Sequence, residues 1–257
     1  MICANRCSQA VSNSNSRLLF PDSLVDAFGL RQGSVVSIIG AGGKTTLMFA
    51  LAEQARIRHA RVLVTTSTKI LIPEPSQYDL LDLSGGCFHG IDIQPARIYV
   101  AGLPDRMPKK MTGCRNNILF AQKDVFDLLL IEADGAACKS LKGWHSREPV
   151  VPDFTSHTIG VLDISTVGQS MTDRLVHRPE IFSNLTGCRR YEKISLQHLH
   201  RLLVHPQGLF ARAVGKRILF MNKVEKEVDI QNYRGLKDLL PDFIVYGGSL
   251  LRGILYE

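Results

Sequence analysis

Residues 34–50 read SVVSIIGAGGKTTLMFA, and this stretch limits what the chain can fold into more than any other. The β-branched run Val35, Val36, Ile38 and Ile39 leads into Gly40, Ala41, Gly42 and Gly43. Lys44, Thr45 and Thr46 follow, and then Leu47, Met48 and Ala50 recur at helical spacing. The order is strand, glycine loop, helix. In such a turn, backbone N–H groups close around phosphate oxygens at the positive end of a helix. The lysine adds charge to the cradle, and a hydroxyl directly after it can hold Mg²⁺. Gly40 to Thr46 therefore reads as a nucleoside triphosphate site for ATP or GTP.

The spacing departs from the usual G-x-x-x-x-G-K-[ST], because Ile38 stands where the first glycine belongs and Gly40 lies four positions before Lys44. The shorter G-x-x-G-K-[ST] loop is similar to that of Mur-ligase-type ATP-dependent enzymes. The prediction for the fold is α/β: a P-loop NTPase-like three-layer domain with a mostly parallel sheet. Helix one is expected over 44–58 and a second strand over 61–65, closing a β-α-β unit. The polar end of that strand, Thr65-Thr66-Ser67-Thr68-Lys69, either faces the phosphates from a carboxyl strand end or satisfies its own backbone.

A second chemical motif lies at 127–135, DLLLIEADG. Its almost wholly apolar run predicts a central parallel strand buried on both faces. The acids at its end, Glu132 and Asp134, match a Walker B element, in which a carboxylate holds the metal shell or polarises the attacking water. Either one can be the metal-side acid. The following segment, 136–152, is basic and stiffened by prolines, with Lys139, Lys142, Arg147 and the single tryptophan Trp144. It reads as a second-substrate loop or as packing.

The remaining elements are coarser. Residues 1–17 read as a loose N-terminal segment and 18–257 as one nucleotide-binding domain. A short helix started by Asp22 or Ser23, a strand at 97–101, a basic loop at 102–112 and a helix at 116–126 are expected. Further on, a buried strand is expected at 158–164, a helix capped by Ser195, a strand at 217–221 and closing strands near 243–246 and 254–256. His198, His200 and His205 read as solvated residues on the polar face of the Ser195 helix. Asn222-Lys223-Val224-Glu225 is similar to the guanine-reading N-K-x-D element, with glutamate for aspartate.

Composition narrows the partners. A net charge of +7 favours anionic ligands, but the basic residues are dispersed, so a small anion is expected and not nucleic acid. With 45% hydrophobic residues and no run approaching ~18 apolar positions, the expectation is a cytoplasmic protein without a membrane span. The six cysteines form no C-x-x-C pair and read as reduced thiols, with Cys138 the one candidate for reactivity.

Beyond the loop, the chain carries in order 65-TTSTKI-70, 131-IEADG-135, Leu141-Lys142, 148-EPVVP-152, 177-HRPE-180, 208-GLF-210 and Asn222-Lys223. In that order, from about residue 18 to the end, it resembles the YqeC-type accessory proteins of selenium-dependent molybdenum hydroxylases. The resemblance implies a role in maturing such a hydroxylase or its cofactor, with the hydroxylase or its cofactor-synthesis proteins as partners. Lys44, Glu132 and Asp134 are the catalytic candidates. Gly40, Ala41, Gly42, Gly43, Lys44, Thr45, Thr46, Thr66, Asn222 and Lys223 are the nucleotide-binding ones, and Thr45, Glu132 and Asp134 the Mg²⁺ ligands. Hydrolysis, a Mur-like ligase or phosphotransferase step, and nucleotide-dependent docking without turnover are three mechanisms compatible with these residues. A metallochaperone is disfavoured by the lack of paired Cys/His spacings.

Overall fold

A computed structural model describes residues 23–257. Fourteen strands, β1 to β14 in chain order, form three sheets among the described residues. The largest contains nine: β1 Ser34–Gly40, β2 Arg61–Thr66, β4 Leu80–Asp82, β5 Arg97–Ala101, β8 Leu128–Glu132, β10 His157–Asp163, β12 Lys216–Asn222, β13 Ile244–Ser249 and β14 Ile254–Tyr256. Their spatial order is β4-β5-β2-β8-β1-β10-β12-β13-β14. Every adjacent pair is parallel except the antiparallel edge pair β13–β14.

The pattern of side chains explains the layering. Because successive residues of a strand point to opposite faces, Val36 and Ile38 of β1 enter one core, while Val35 and Ile39 enter the clusters on the other face. The first core is covered by helices α1 Leu24–Ala27 and α2 Lys44–Ile57, through Leu24, Leu47, Met48 and Leu51. Each fully buried leucine there is worth about 2 kcal/mol relative to leaving it exposed. The opposite face is covered by α3 Asn116–Gln122, α4 Pro179–Thr186, α5 Leu196–Val204 and α6 Glu227–Asp238, through Leu119, Phe182, Leu199 and Leu236. This is the three-layer α/β architecture with a mostly parallel sheet that the loop and the buried runs imply.

Strands β1 and β8 are buried along their whole length. Such strands are mostly apolar because helices cover both their faces. At β1 the sheet changes direction: β8 and β2 lie on one side, β10 and β12 on the other. Ligands of open parallel sheets collect outside the carboxyl ends of strands at this kind of switch point. The glycine loop leaves β1 there.

Several expectations need correction. Segment 102–112 is no plain loop: β6 Leu103–Pro104 and β7 Lys110–Thr112 pair antiparallel and join β3 Lys69–Leu71 in a small sheet. Helix α3 is shorter than expected, and the chain after it places Phe126 in the core instead of continuing the turn. The short first helix is capped by Ser23, whose hydroxyl accepts from the Asp26 N–H. Its expected start at Asp22, like the loose segment 1–17, lies outside the described residues. His198 is not solvated: it is 8% exposed, and its Nδ1 accepts from the Ser195 N–H in a reciprocal cap of α5. No helix among the described residues is long and apolar enough to cross a membrane.

Candidate functional site

The loop from Gly40 to Gly43 is shaped by what surrounds it. Gly40 takes φ 98°, and a Cβ added there would lie 2.2 Å from the Val161 carbonyl oxygen of β10. Gly43 takes φ 141°, and its Cβ would meet Asn222 Nδ2 at 2.3 Å. Both positions demand a residue without a side chain. Ala41 tolerates a methyl and is tied to β10 by its N–H on Val161 O (3.0 Å). Gly43 is the N-cap of α2 and no side chain caps that end, so the first N–H groups of the helix remain directed toward the loop.

Lys44 begins α2 and folds back over the loop. Its Nζ donates to Gly40 O (2.9 Å) and lies 3.5 Å from Glu132 Oε1 and 3.3 Å from Asp134 Oδ1. It is almost fully buried. Burial alone pushes the ammonium pKa down, but the charges of Asp134 and Glu132 outweigh it, and the net direction is upward. Lys44 therefore stays a cation. Thr45 Oγ1 donates to Glu132 Oε2 (2.7 Å), so a hydroxyl on the first turn of α2 and a carboxylate at the end of β8 stand side by side. Thr46 is on the exposed side of the same turn.

Asp134 is the most enclosed group of the site. Its Oδ2 accepts from the Gly40 N–H (3.1 Å) and from Trp144 Nε1 (2.7 Å), and lies 3.2 Å from Lys142 Nζ. Its Oδ1 is buried and makes no hydrogen bond in the structure, facing Lys44 only as a charge. The two acids thus differ. Glu132 faces the helix N-terminus, whereas Asp134 holds the base of the loop to the following segment.

Lys142, on β9 Leu141–Lys142, is the residue that sequence reasoning undervalued. It is fully buried, and its Nζ donates to Gly135 O (2.6 Å) and to Glu148 Oε2 (3.1 Å). Desolvation lowers its pKa despite the attraction of Asp134 and Glu148. Glu148 in turn receives Arg178 in a two-pronged pair, through Nη2 on Oε1 (3.0 Å) and through Nη1 on Oε2. Burial would raise the Glu148 pKa, but Arg178 and Lys142 hold it down at about 2. An unbroken line of charges runs from the glycine loop through Asp134, Lys142 and Glu148 to Arg178, at the start of α4. The sequence signal for it was a lysine between leucine and tryptophan-bearing neighbours, read only as part of a basic loop.

The threonine-rich strand end has another use. Thr65 Oγ1 donates to Ala101 O (2.7 Å), Thr66 Oγ1 to Glu132 O (2.7 Å) and Ser67 Oγ to Val150 O (2.5 Å). Lys69 pairs with Asp105 at 2.7 Å. The hydroxyls knit β2 and the residues after it to β5, to β8 and to the 148–152 segment, and Thr66 positions the backbone beside Glu132. Cys138 is exposed in left-handed backbone on the turn after Asp134.

On the other side of the loop, Asn222 at the end of β12 donates from Nδ2 to Gly42 O (2.8 Å) and accepts at Oδ1 from the Leu250 N–H (3.2 Å). One amide thereby fixes both the glycine loop and the turn after β13. Lys223 adopts φ 66° and ion-pairs with Asp163, a buried acid at the end of β10 that the sequence reading did not single out. Glu225 is half-buried and accepts from Ser249 Oγ (2.9 Å).

A family model described as "YqeC protein" matches residues 36–180 of the chain. The "Uncharacterized protein YqeC" of Escherichia coli (strain K12) is 29% identical over 219 residues, covering 79% of this chain and 81% of that protein. Among solved structures, chloroplast FtsY from Physcomitrella patens aligns with 96% of this chain and 66% of its own, at 15% identity and a TM-score of 0.39. The fold assignment stands on the strand order and the loop themselves. With more than half of its length matched by the family model, including the glycine loop, Glu132, Asp134, Lys142, Glu148 and Arg178, the chain belongs to the YqeC family.

Proposed function

We propose that this chain binds a nucleoside triphosphate with Mg²⁺ at the Gly40 to Thr46 loop and hydrolyses it as an accessory factor in maturing a selenium-dependent molybdenum hydroxylase or its cofactor. The observation that carries the nucleotide reading is the position of Lys44, a buried cation at an uncapped helix N-terminus, within 3.5 Å of two carboxylates at the end of the adjacent strand. The hydroxylase role is supported by family membership and by the motif order along the chain.

The donors fit the metal. Thr45 Oγ1 and Glu132 Oε2 are adjacent hard oxygens, the donor type that Mg²⁺ takes. When bound, the ion would neutralise charge on the β- and γ-phosphates. The chain's own groups supply the rest. Lys44 would leave Gly40 O for the phosphate oxygens, the backbone N–H groups of 42–45 would surround them, and Glu132 would orient water. Asp134, already bonded to Gly40 N–H and Trp144, keeps the loop open and holds Lys44 charged. Asn222 fixes the loop from the far side. Glu225, in the position of the aspartate of an N-K-x-D element, would accept from the ring N–H and exocyclic amine of guanine, and that order supports GTP over ATP.

The test is turnover of Mg·GTP and Mg·ATP by the purified chain, by Lys44→Ala and by Glu132→Gln. Phosphate release that both substitutions reduce about 100-fold or more supports hydrolysis at this site. A phosphorylated acceptor in place of free phosphate points to a ligase or phosphotransferase. Nucleotide-dependent co-purification with a hydroxylase, without turnover, points to docking. No binding of either nucleotide at millimolar concentration rejects the proposal.

A further inference from the structure

The described residues contain one set of three metal-ligating side chains, well separated in sequence from the phosphate loop: Cys188, Glu192 and His198. They sit where α4 hands over to α5. Gly187, in left-handed backbone, ends α4, and Cys188 follows directly with its thiol buried. A tight turn then returns the chain. The Arg189 N–H donates to Glu192 Oε2 (2.7 Å) and the Glu192 N–H to Arg189 O (3.0 Å), and Oε1 is on the side of His198. Ser195 caps α5 and sets His198 on its first turn, with Nδ1 held by the Ser195 N–H and Nε2 directed at Glu192.

One ligand atom from each residue lies within 4.8 Å of the other two. Glu192 Oε1 and His198 Nε2 are 3.8 Å apart, too far for a hydrogen bond and about the separation of two ligands on one four-coordinate ion. We propose that Cys188, Glu192 and His198 form a second site, for a Zn²⁺-type ion, with three protein ligands and a fourth position open. A mixed sulfur, nitrogen and oxygen set is the chemistry of zinc; Mg²⁺ and Ca²⁺ take oxygen alone. Glu192 and His198 themselves line a hollow of about 670 Å³, together with Arg189, Arg190, Tyr191 and Arg201. That positive rim selects a small anion or anionic side chain as the last ligand.

The site has a structural consequence. Nδ1 of His198 accepts from Ser195, so loading Nε2 sends the ring proton to Nδ1 and releases that cap bond at the start of α5. The spacing, three residues between Cys188 and Glu192 and five between Glu192 and His198, matches no pattern that a sequence scan for zinc sites looks for. This inference is independent of the nucleotide reading.

The test uses the full chain, stripped with chelator and titrated with Zn²⁺ and, as a spectroscopic probe, Co²⁺. The expected result is one equivalent of Zn²⁺ and a Co²⁺ complex with a thiolate-to-metal charge-transfer band. Cys188→Ser should abolish that band. Glu192→Gln and His198→Gln should each weaken Zn²⁺ binding roughly 100-fold or more, since even outer-shell partners of a metal site cost 10–100-fold. Lys44→Ala and the combined replacement of Cys3, Cys7 and Cys138 by serine should leave the equivalent in place. Glu192 has a side chain 44% exposed, so its variant keeps the test decisive where Cys188→Ser fails to fold. Zn²⁺ binding that survives Glu192→Gln and His198→Gln unchanged, or a Co²⁺ spectrum without sulfur ligation, overturns the proposal.

Discussion

Glu148 is the acid whose environment the fold changes most measurably. In the unfolded chain its carboxyl titrates near 4.5; in the structure it titrates at about 2, because Arg178 and Lys142 outweigh the burial that would raise it. A depressed folded-state pKa stabilises the fold above the unfolded value, and that contribution is lost as pH falls from about 4.5 toward about 2. A shift of this size corresponds to about 3 kcal/mol at full value. Since the Glu148 side chain is 19% exposed and partly screened by solvent, about 2 kcal/mol is the expectation. The assay is urea unfolding between pH 6 and pH 2.5 on the wild type and on Glu148→Gln, with the m-value checked for constancy. The wild type should lose about 2 kcal/mol more than the variant across the acid limb. Asp127, held down at about 2 by Arg61, contributes equally to both proteins and cancels. Parallel acid limbs for the two proteins would refute the claim that Glu148 is the charged link between Lys142 and Arg178.

Two further outcomes follow from the same geometry. Lys142→Met strips a fully buried cation from Asp134 and Glu148 and should cost about 3 kcal/mol, as breaking buried pairs does. Combined with Asp134→Asn, it should cost less than the sum of the two single changes, by about 1 kcal/mol or more in a double-mutant cycle. Gly43→Ala places a methyl on Asn222 Nδ2 at a backbone angle that only glycine adopts readily. It should cost about 2 kcal/mol in urea unfolding and weaken nucleotide binding, because Asn222 must give up Gly42 O.

Much of the fold was legible because the helix-covered strands β1 and β8 are almost wholly apolar: Val35 to Ile39 with a single serine, and Leu128 to Ile131 without interruption. The glycine loop was legible for the same local reason, since strand, turn and helix are all encoded within residues 34–50. What escaped was non-local. Lys142 looks basic and therefore exposed in sequence, yet it is buried because Asp134, eight positions earlier, and Glu148, six later, converge on it. The basic stretch 102–112 contains two short strands, of which β7 pairs with both β6 and β3, a partner about forty residues upstream. His198 was read from the helical wheel as solvated, but a cap bond to its own helix start turns the ring inward. The threonines at 65 and 66 were ambiguous in sequence because hydroxyls serve carbonyls and phosphates alike; the neighbouring strands take them.

The most direct measurement for the nucleotide reading is calorimetric titration of the purified chain with a Mg²⁺ complex of a non-hydrolysable GTP analogue and of its ATP counterpart, on the wild type and on Lys44→Ala. The account predicts one binding site in the wild type, tighter for the guanine nucleotide, and a loss of roughly 100-fold or more when the cation beside Glu132 and Asp134 is removed. Equal affinity of wild type and Lys44→Ala, or no heat from either nucleotide at millimolar concentration, would contradict it.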